Sequence, residues 1–116
     1  MDSAAIKEAT EIFGEQAGEF IRLTLKDANN FMAEIVTETT NGNAVAVGLA
    51  AHSLKSILKQ VGAEDVAAIA YEIEKAGHAG DIALCRARIR SLEVGYGELR
   101  AYLVAHRGQT GTPESF

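Results

Sequence analysis

The sequence predicts an all-α protein: an antiparallel up-down-up-down four-helix bundle with a short additional helix at its N-terminus. Three observations carry that expectation. The single proline, Pro113, lies beyond every periodic segment, so nothing interrupts helix from the N-terminus to about His106. Apolar residues recur at helical steps of three and four through four successive segments. Aromatic residues are scarce, and β-branched residues are scattered among alanine, glutamate and lysine, which suits helices better than strands. A chain of 116 residues fits one domain with a real core. The expected division is a bundle over residues 1–106 and a polar tail or linker over 107–116.

Taken in order, Ser3 is the expected N-cap of a first short helix that runs to about Phe13, with Ile6, Ala9 and Phe13 along its apolar edge. Its role is that of a lid on one end of the bundle. A longer helix follows from about Glu15 to Thr39. Its stripe is Ile21, Thr24, Ala28, Phe31, Met32 and Ile35, with Phe20 and Leu25 on the shoulders. Thr39-Thr40-Asn41-Gly42-Asn43 ends it, and Asn43 can cap the next helix.

The third helix, about Ala44 to Val61, has an inner stripe of Val47, Ala51, Leu54, Leu58 and Val61, and Gly62 is its expected stop. Glu64 and Asp65 suit the positive N-terminal end of a fourth helix. There Val66, Ile69, Ala70 and Ile73 are expected inward, and Glu72, Glu74 and Lys75 outward. The short connection makes the third and fourth helices an antiparallel hairpin. Asp81 can cap a fifth helix with the most regular stripe in the chain: Ile82, Cys85, Ile89, Leu92, Tyr96, Leu99 and Leu103. Gly95 and Gly97 sit inside it, and the sequence does not decide whether they permit close helix contact.

Composition removes several function classes. The net charge is −5 with no long basic run, which argues against a nucleic-acid partner. One cysteine, Cys85, cannot form an internal disulfide, and it falls on an inner stripe where a small buried residue belongs. No apolar run approaches the ~18–20 residues of a membrane span, and no signal-peptide pattern opens the chain, so a cytoplasmic domain without membrane contact is expected. The histidines have no companions at metal-ligand spacing, so no metal site is expected. No glycine-framed nucleophile turn and no phosphate-binding loop are present, so neither hydrolysis nor an ATP site is indicated. Arg86, Arg88 and Arg90, with Glu93 and Glu98 nearby, read as a solvated face. His78, in a glycine-flanked turn, and His106, at the end of the last helix, are expected at the surface without a role.

His52 differs. At about 100° per residue it lies roughly 150° from the centre of its helix's apolar stripe, so it points to solvent. Lys55, Ser56 and Lys59 follow three, four and seven positions on, which places an imidazole, two ammonium groups and a hydroxyl on one exposed surface. A histidine that accepts a phosphoryl group must be exposed to a protein donor. It must also be largely neutral near pH 7, as histidine's ordinary pKa of about 6.5 allows. Lys55 and Lys59 are placed to offset the added charge. Ser53, Ser56 and the flanking alanines are small enough to let a partner approach.

These residues resemble the histidine-containing phosphotransfer (HPt) domains of two-component phosphorelays. Their Ala-His-x-Leu-Lys-Gly signature, followed by Gly-Ala, is similar to Ala51, His52, Leu54, Lys55, Gly62 and Ala63. A Leu-Glu-x-Ala-x-x-Gly-Asp pattern is echoed by Ile73-Glu74-Lys75-Ala76 and Gly80-Asp81. Ser56 stands where the family usually has glycine, which bears on partner range. The resemblance implies that His52 takes the phosphoryl group on Nε2 and that Lys55 stabilises it. It implies no ATP site or resident cofactor, since Mg²⁺ would sit in the partner. The partners implied are a response regulator receiver domain and/or a hybrid histidine kinase. The docking face is expected on the second and third helices around His52, with Ser53, Ser56, Lys59 and Gln60, and exposed Val45 and Leu49. Two alternatives stay open: the phosphorylation domain of a chemotaxis-type histidine kinase, and a helical adaptor that is not phosphorylated.

Overall fold

In a computed structural model of the chain, which describes residues 1–107, the expected all-α architecture is found. The elements are α1 (Ser3–Glu11), a short 3₁₀ turn (Gly14–Gln16), α2 (Ala17–Asn41), α3 (Ala44–Gln60), α4 (Glu64–His78) and α5 (Ile82–Arg107). Helices α2 to α5 form the antiparallel bundle, and α1 packs at one end. The inner stripes read from the sequence meet in a single core. Ile21, Ala28, Ile35, Val47, Ala51, Leu54, Leu58, Val61, Ala70, Ile73, Cys85, Leu92, Leu99 and Leu103 are all almost fully buried. Burying the valine, leucine and isoleucine side chains among them stabilises the bundle by roughly 1.5–3 kcal/mol each.

The helix ends follow their capping chemistry, with small departures from expectation. The first N-cap is Asp2, not Ser3: its Oδ1 accepts from the Ala5 N–H at 3.1 Å. That helix ends at Glu11, two residues early, and the chain passes through the 3₁₀ turn before α2 begins at Ala17 rather than Glu15. The Phe13 ring stacks on Phe20 at 3.9 Å, which fixes this entry. Helix α2 runs two residues past Thr39. Asn43 caps α3 as expected, accepting from Ala46 N–H, and Asp81 caps α5 through the Leu84 N–H. Arg107 is the last residue of α5 rather than the first of a tail, and the remainder of the expected tail, 108–116, lies outside the described residues.

Gly62 terminates α3 for a reason that only glycine satisfies. Its φ is +80°, and the Ala63 N–H reaches the Leu58 carbonyl while the Gly62 N–H reaches that of Lys59, a Schellman closure. A Cβ on Gly62 would also stand 2.5 Å from the Ala5 carbonyl oxygen, so the same glycine seats α1 against the α3–α4 turn.

Two further glycines set the α3–α4 spacing. A Cβ on Gly77 would lie 2.6 Å from the Gly48 nitrogen and 2.7 Å from the Ala44 oxygen, so the two backbones touch there. The question left open at Gly95 and Gly97 is also resolved. Gly95 faces Val66 and Ile69 of α4 at ordinary contact distance, and Gly97 faces open space.

Candidate functional site

Helix α3 presents the predicted surface. Val45, Leu49, His52, Ser56, Lys59 and Gln60 are exposed, and Ser53 is half-buried, while the opposite face of the helix enters the core. These positions fall on one side of the helix because they repeat at three and four. They span about 22 Å at 1.5 Å per residue. Val45 and Leu49 are 65% and 60% exposed, an apolar patch just N-terminal to the histidine. The His52 side chain is 59% exposed, as its angular position required.

Glu74 completes the site, and here the sequence expectation is corrected. The helical pattern predicts it outward on α4; it is buried, with a side chain only 10% exposed. Its carboxylate faces α3. The Oε2 atom lies 2.8 Å from His52 Nδ1, and Oε1 lies 2.8 Å from Lys55 Nζ. Burial pushes the carboxyl pKa up. The Lys55 ammonium and the His52 N–H pull it down by more, so the net shift is below the ordinary glutamate value. Glu74 is therefore an ionised acceptor without a proton to give. His52 Nδ1 must be the donor in this contact, which makes Nδ1–H the stable tautomer. The lone pair then resides on Nε2, on the exposed imidazole.

Lys55 also departs from expectation. It is not a free surface cation: its side chain is 17% exposed, its ammonium rests on Glu74, and it lies 4.8 Å from the centre of the Tyr71 ring. Its contact with Oε1 is an ion pair without well-aligned hydrogen-bond geometry, so Oε1 keeps spare acceptor capacity. Lys75 approaches the same ring at 4.6 Å. The Ser56 hydroxyl is likewise committed. It donates to the His52 carbonyl at 3.2 Å rather than toward the imidazole.

His78, expected to have no role, brings its Nε2 to 3.6 Å from Glu74 Oε2. Arg88 pairs with Glu72 at 2.7 Å, so the arginine cluster is partly engaged in binding α5 to α4. Cys85 is buried, and burial raises its thiol pKa. Beside His52, Lys55, Lys59, Glu64, Ala67, Ala68 and Tyr71 line a shallow groove of about 500 Å³ between α3 and α4. His52 thus stands exposed next to a groove, an arrangement suited to a protein partner rather than an enclosed small substrate.

Sequence reasoning missed Glu74 and His78 as parts of the site. A signal was present. Glu74 and His78 are four residues apart on one helix face, and Gly77 lies between them where α3 comes close.

The Hpt domain family model matches residues 19–107, most of the chain and all of the bundle. The chain belongs to the Hpt family. As an Hpt domain it is a phosphotransfer intermediate of a two-component phosphorelay, a class of domain that interacts with receiver domains. Its fold is also similar to that of histidine-containing phosphotransfer protein B (HptB) from Pseudomonas aeruginosa PAO1. The TM-score is 0.85, the identity 19%, and the match covers 94% of this chain and 95% of that one. No curated protein matches the chain. Among the described residues, no helix is long and apolar enough to cross a membrane, and no cluster of three or more acidic, histidine or cysteine side chains could hold a metal ion.

Proposed function

We propose that His52 is the phosphoacceptor and that its Nε2 is the nucleophile. The observation that carries this reading is the tether of Nδ1 to a buried, ionised Glu74, on an imidazole otherwise open to solvent. In this mechanism a receiver domain docks its aspartyl phosphate over His52. The Nε2 lone pair attacks phosphorus in line, the N–P bond forms, and the bond from phosphorus to the aspartyl oxygen breaks to release the carboxylate. The proton on Nδ1 stays in its hydrogen bond to Glu74 throughout, so this chain moves no proton to make the nucleophile. The reverse sequence returns the phosphoryl group to a second receiver.

Lys55 has two tasks in this reading. It keeps Glu74 ionised, and it places a cation one turn from the acceptor to offset the added negative charge. Lys59, exposed two turns on, extends the positive field. Val45 and Leu49 supply the apolar part of the docking face, and Ser53, Ser56 and Gln60 its small and polar part. Mg²⁺ and the remaining phosphate-binding groups belong to the partner. Gly62 has a structural task at the end of α3. A cytoplasmic location and a tail or linker over residues 108–116 complete the reading.

The test is incubation with a phosphorylated receiver domain. Wild type should acquire acid-labile, alkali-stable label, and His52→Gln should acquire none while keeping its helical content. Label that survives in His52→Gln would sink the assignment.

A further inference from the structure

We propose that the groove between α3 and α4 takes an acidic segment of the docked receiver, with the Tyr71 ring as its floor and Lys59 and Lys75 as its cationic walls. This rests on the reading of a receiver docked over His52, and it widens that contact onto α4.

Spacing along two helices brings these groups together. Glu64, Ala67, Ala68, Tyr71 and Lys75 repeat at three and four, so they share one face of α4. Lys55 and Lys59 are one turn apart on α3 and line the groove opposite that face. The two helices run antiparallel, so Lys75 lies toward the His52 end and Glu64 at the far end. Lys59 stands only about 10 Å along α3 from His52, so the groove opens beside the acceptor.

Charge marks the occupant. The chain carries a net charge of −5, yet three ammonium groups gather here. Lys55 is matched by Glu74 at 2.8 Å. Among the described residues, Lys59 and Lys75 pair with no carboxylate, and Glu72, the acid next to Tyr71, is drawn away to Arg88 of α5. The Tyr71 ring holds Lys55 and Lys75 at 4.8 and 4.6 Å from its centre, and the residue is 46% exposed. Two ammonium groups on one ring repel each other, so a carboxylate that enters between them is attracted by both. The exposed ring gives the rest of the segment an apolar surface. Glu64 limits the positive stretch to the part beside His52.

Interface size points to the same extension. A standard interface takes about 20–30 residues a side. The α3 face from Val45 to Gln60 supplies seven. A receiver seated on His52 therefore reaches a neighbouring helix, and α4 offers it unmatched positive charge. The aspartyl phosphate it brings is itself anionic, so a positive groove at its edge also favours encounter.

The experiment titrates an unphosphorylated receiver domain that binds wild type into wild type, Lys75→Glu, Tyr71→Ala, Tyr71→Phe and Arg100→Glu, by calorimetry at low and high salt. Arg100 is exposed on α5, so its reversal repeats the charge change away from the groove. Lys75→Glu should weaken binding about tenfold and flatten its salt dependence. Tyr71→Ala should weaken it about fivefold, and Tyr71→Phe, which keeps the ring, by roughly twofold at most. Arg100→Glu should stay within about twofold of wild type. Receiver added to wild type should also move the amide NMR signals of Ala67, Ala68 and Tyr71. Binding that is indifferent to Lys75→Glu, or that Arg100→Glu weakens as much, overturns the proposal. Label on His52 is followed in parallel with phosphorylated receiver and with phosphoramidate, a small donor. Binding that depends on Lys75 and Tyr71, without label on His52 from either donor, would uphold the groove and refute the acceptor assignment instead.

Discussion

Replacing Glu74 with glutamine removes one negative charge at nearly constant volume. Glu74 accepts from His52 Nδ1 at 2.8 Å and contacts Lys55 Nζ at 2.8 Å, with its side chain 10% exposed. A hydrogen bond to a charged acceptor contributes roughly 1.5–3 kcal/mol and a neutral one about 1 kcal/mol. The His52 imidazole is more than half exposed, so the low end applies, and the tautomer with a free Nε2 loses about 0.5 kcal/mol of preference. At 1.36 kcal/mol per factor of ten, transfer from a phosphorylated receiver should slow about twofold. Lys55 also loses its partner but can turn toward water, so the fold should lose only about 1 kcal/mol, or roughly 4–8 °C in Tm for a domain of this size. Single-turnover transfer, followed by label on His52, measures the first effect. The ¹⁵N shifts of the imidazole measure the tautomer directly. Wild-type transfer together with an unchanged Nδ1–H tautomer would refute the argument that Glu74 prepares the nucleophile.

The depressed pKa of Glu74 makes stability depend on pH. Its folded pKa lies below its unfolded value, so the contribution is complete above about pH 4.3 and is lost as pH falls through the folded pKa; chemical denaturation across that window should show the loss in wild type and not in Glu74→Gln. Gly62→Ala meets a positive φ and a backbone oxygen at 2.5 Å, so it should destabilise the fold by about 2 kcal/mol or more, read as a Tm drop of roughly 8–16 °C. Leu49→Asp, at a 60% exposed position, should leave Tm within about 2 °C of wild type. The same change should slow transfer from a receiver about tenfold at subsaturating concentration, with labelling by phosphoramidate unchanged. Equal loss with both donors would place Leu49 outside the docking face.

The helices were legible because their information is local. Stripes such as Ile82, Cys85, Leu92, Tyr96, Leu99 and Leu103 repeat at helical spacing, and Gly42, Gly62 and Gly80 stand at the positive-φ stops between helices. Ends shifted by one to two residues where two capping groups competed, as with Asp2 and Ser3. His52 was legible as an exposed residue by its angle from the stripe. Glu74 was not. Amphipathic reasoning sends every charged residue outward, and a buried carboxylate is stable only when partners on another helix supply its charge compensation. Those partners are His52 and Lys55, twenty-two and nineteen residues earlier in the chain, and no single-helix pattern contains them.

The sequence by itself determined the four inner stripes, the stops between them, and the exposure of His52 with Lys55 on one turn of α3, because each depends on spacing along one helix. Only the tertiary structure decided which nitrogen of that histidine is free. The contact of Gly77 with Gly48 draws α4 against α3 and turns Glu74 onto Nδ1, and an ionised carboxylate can only accept, so the lone pair is left on Nε2.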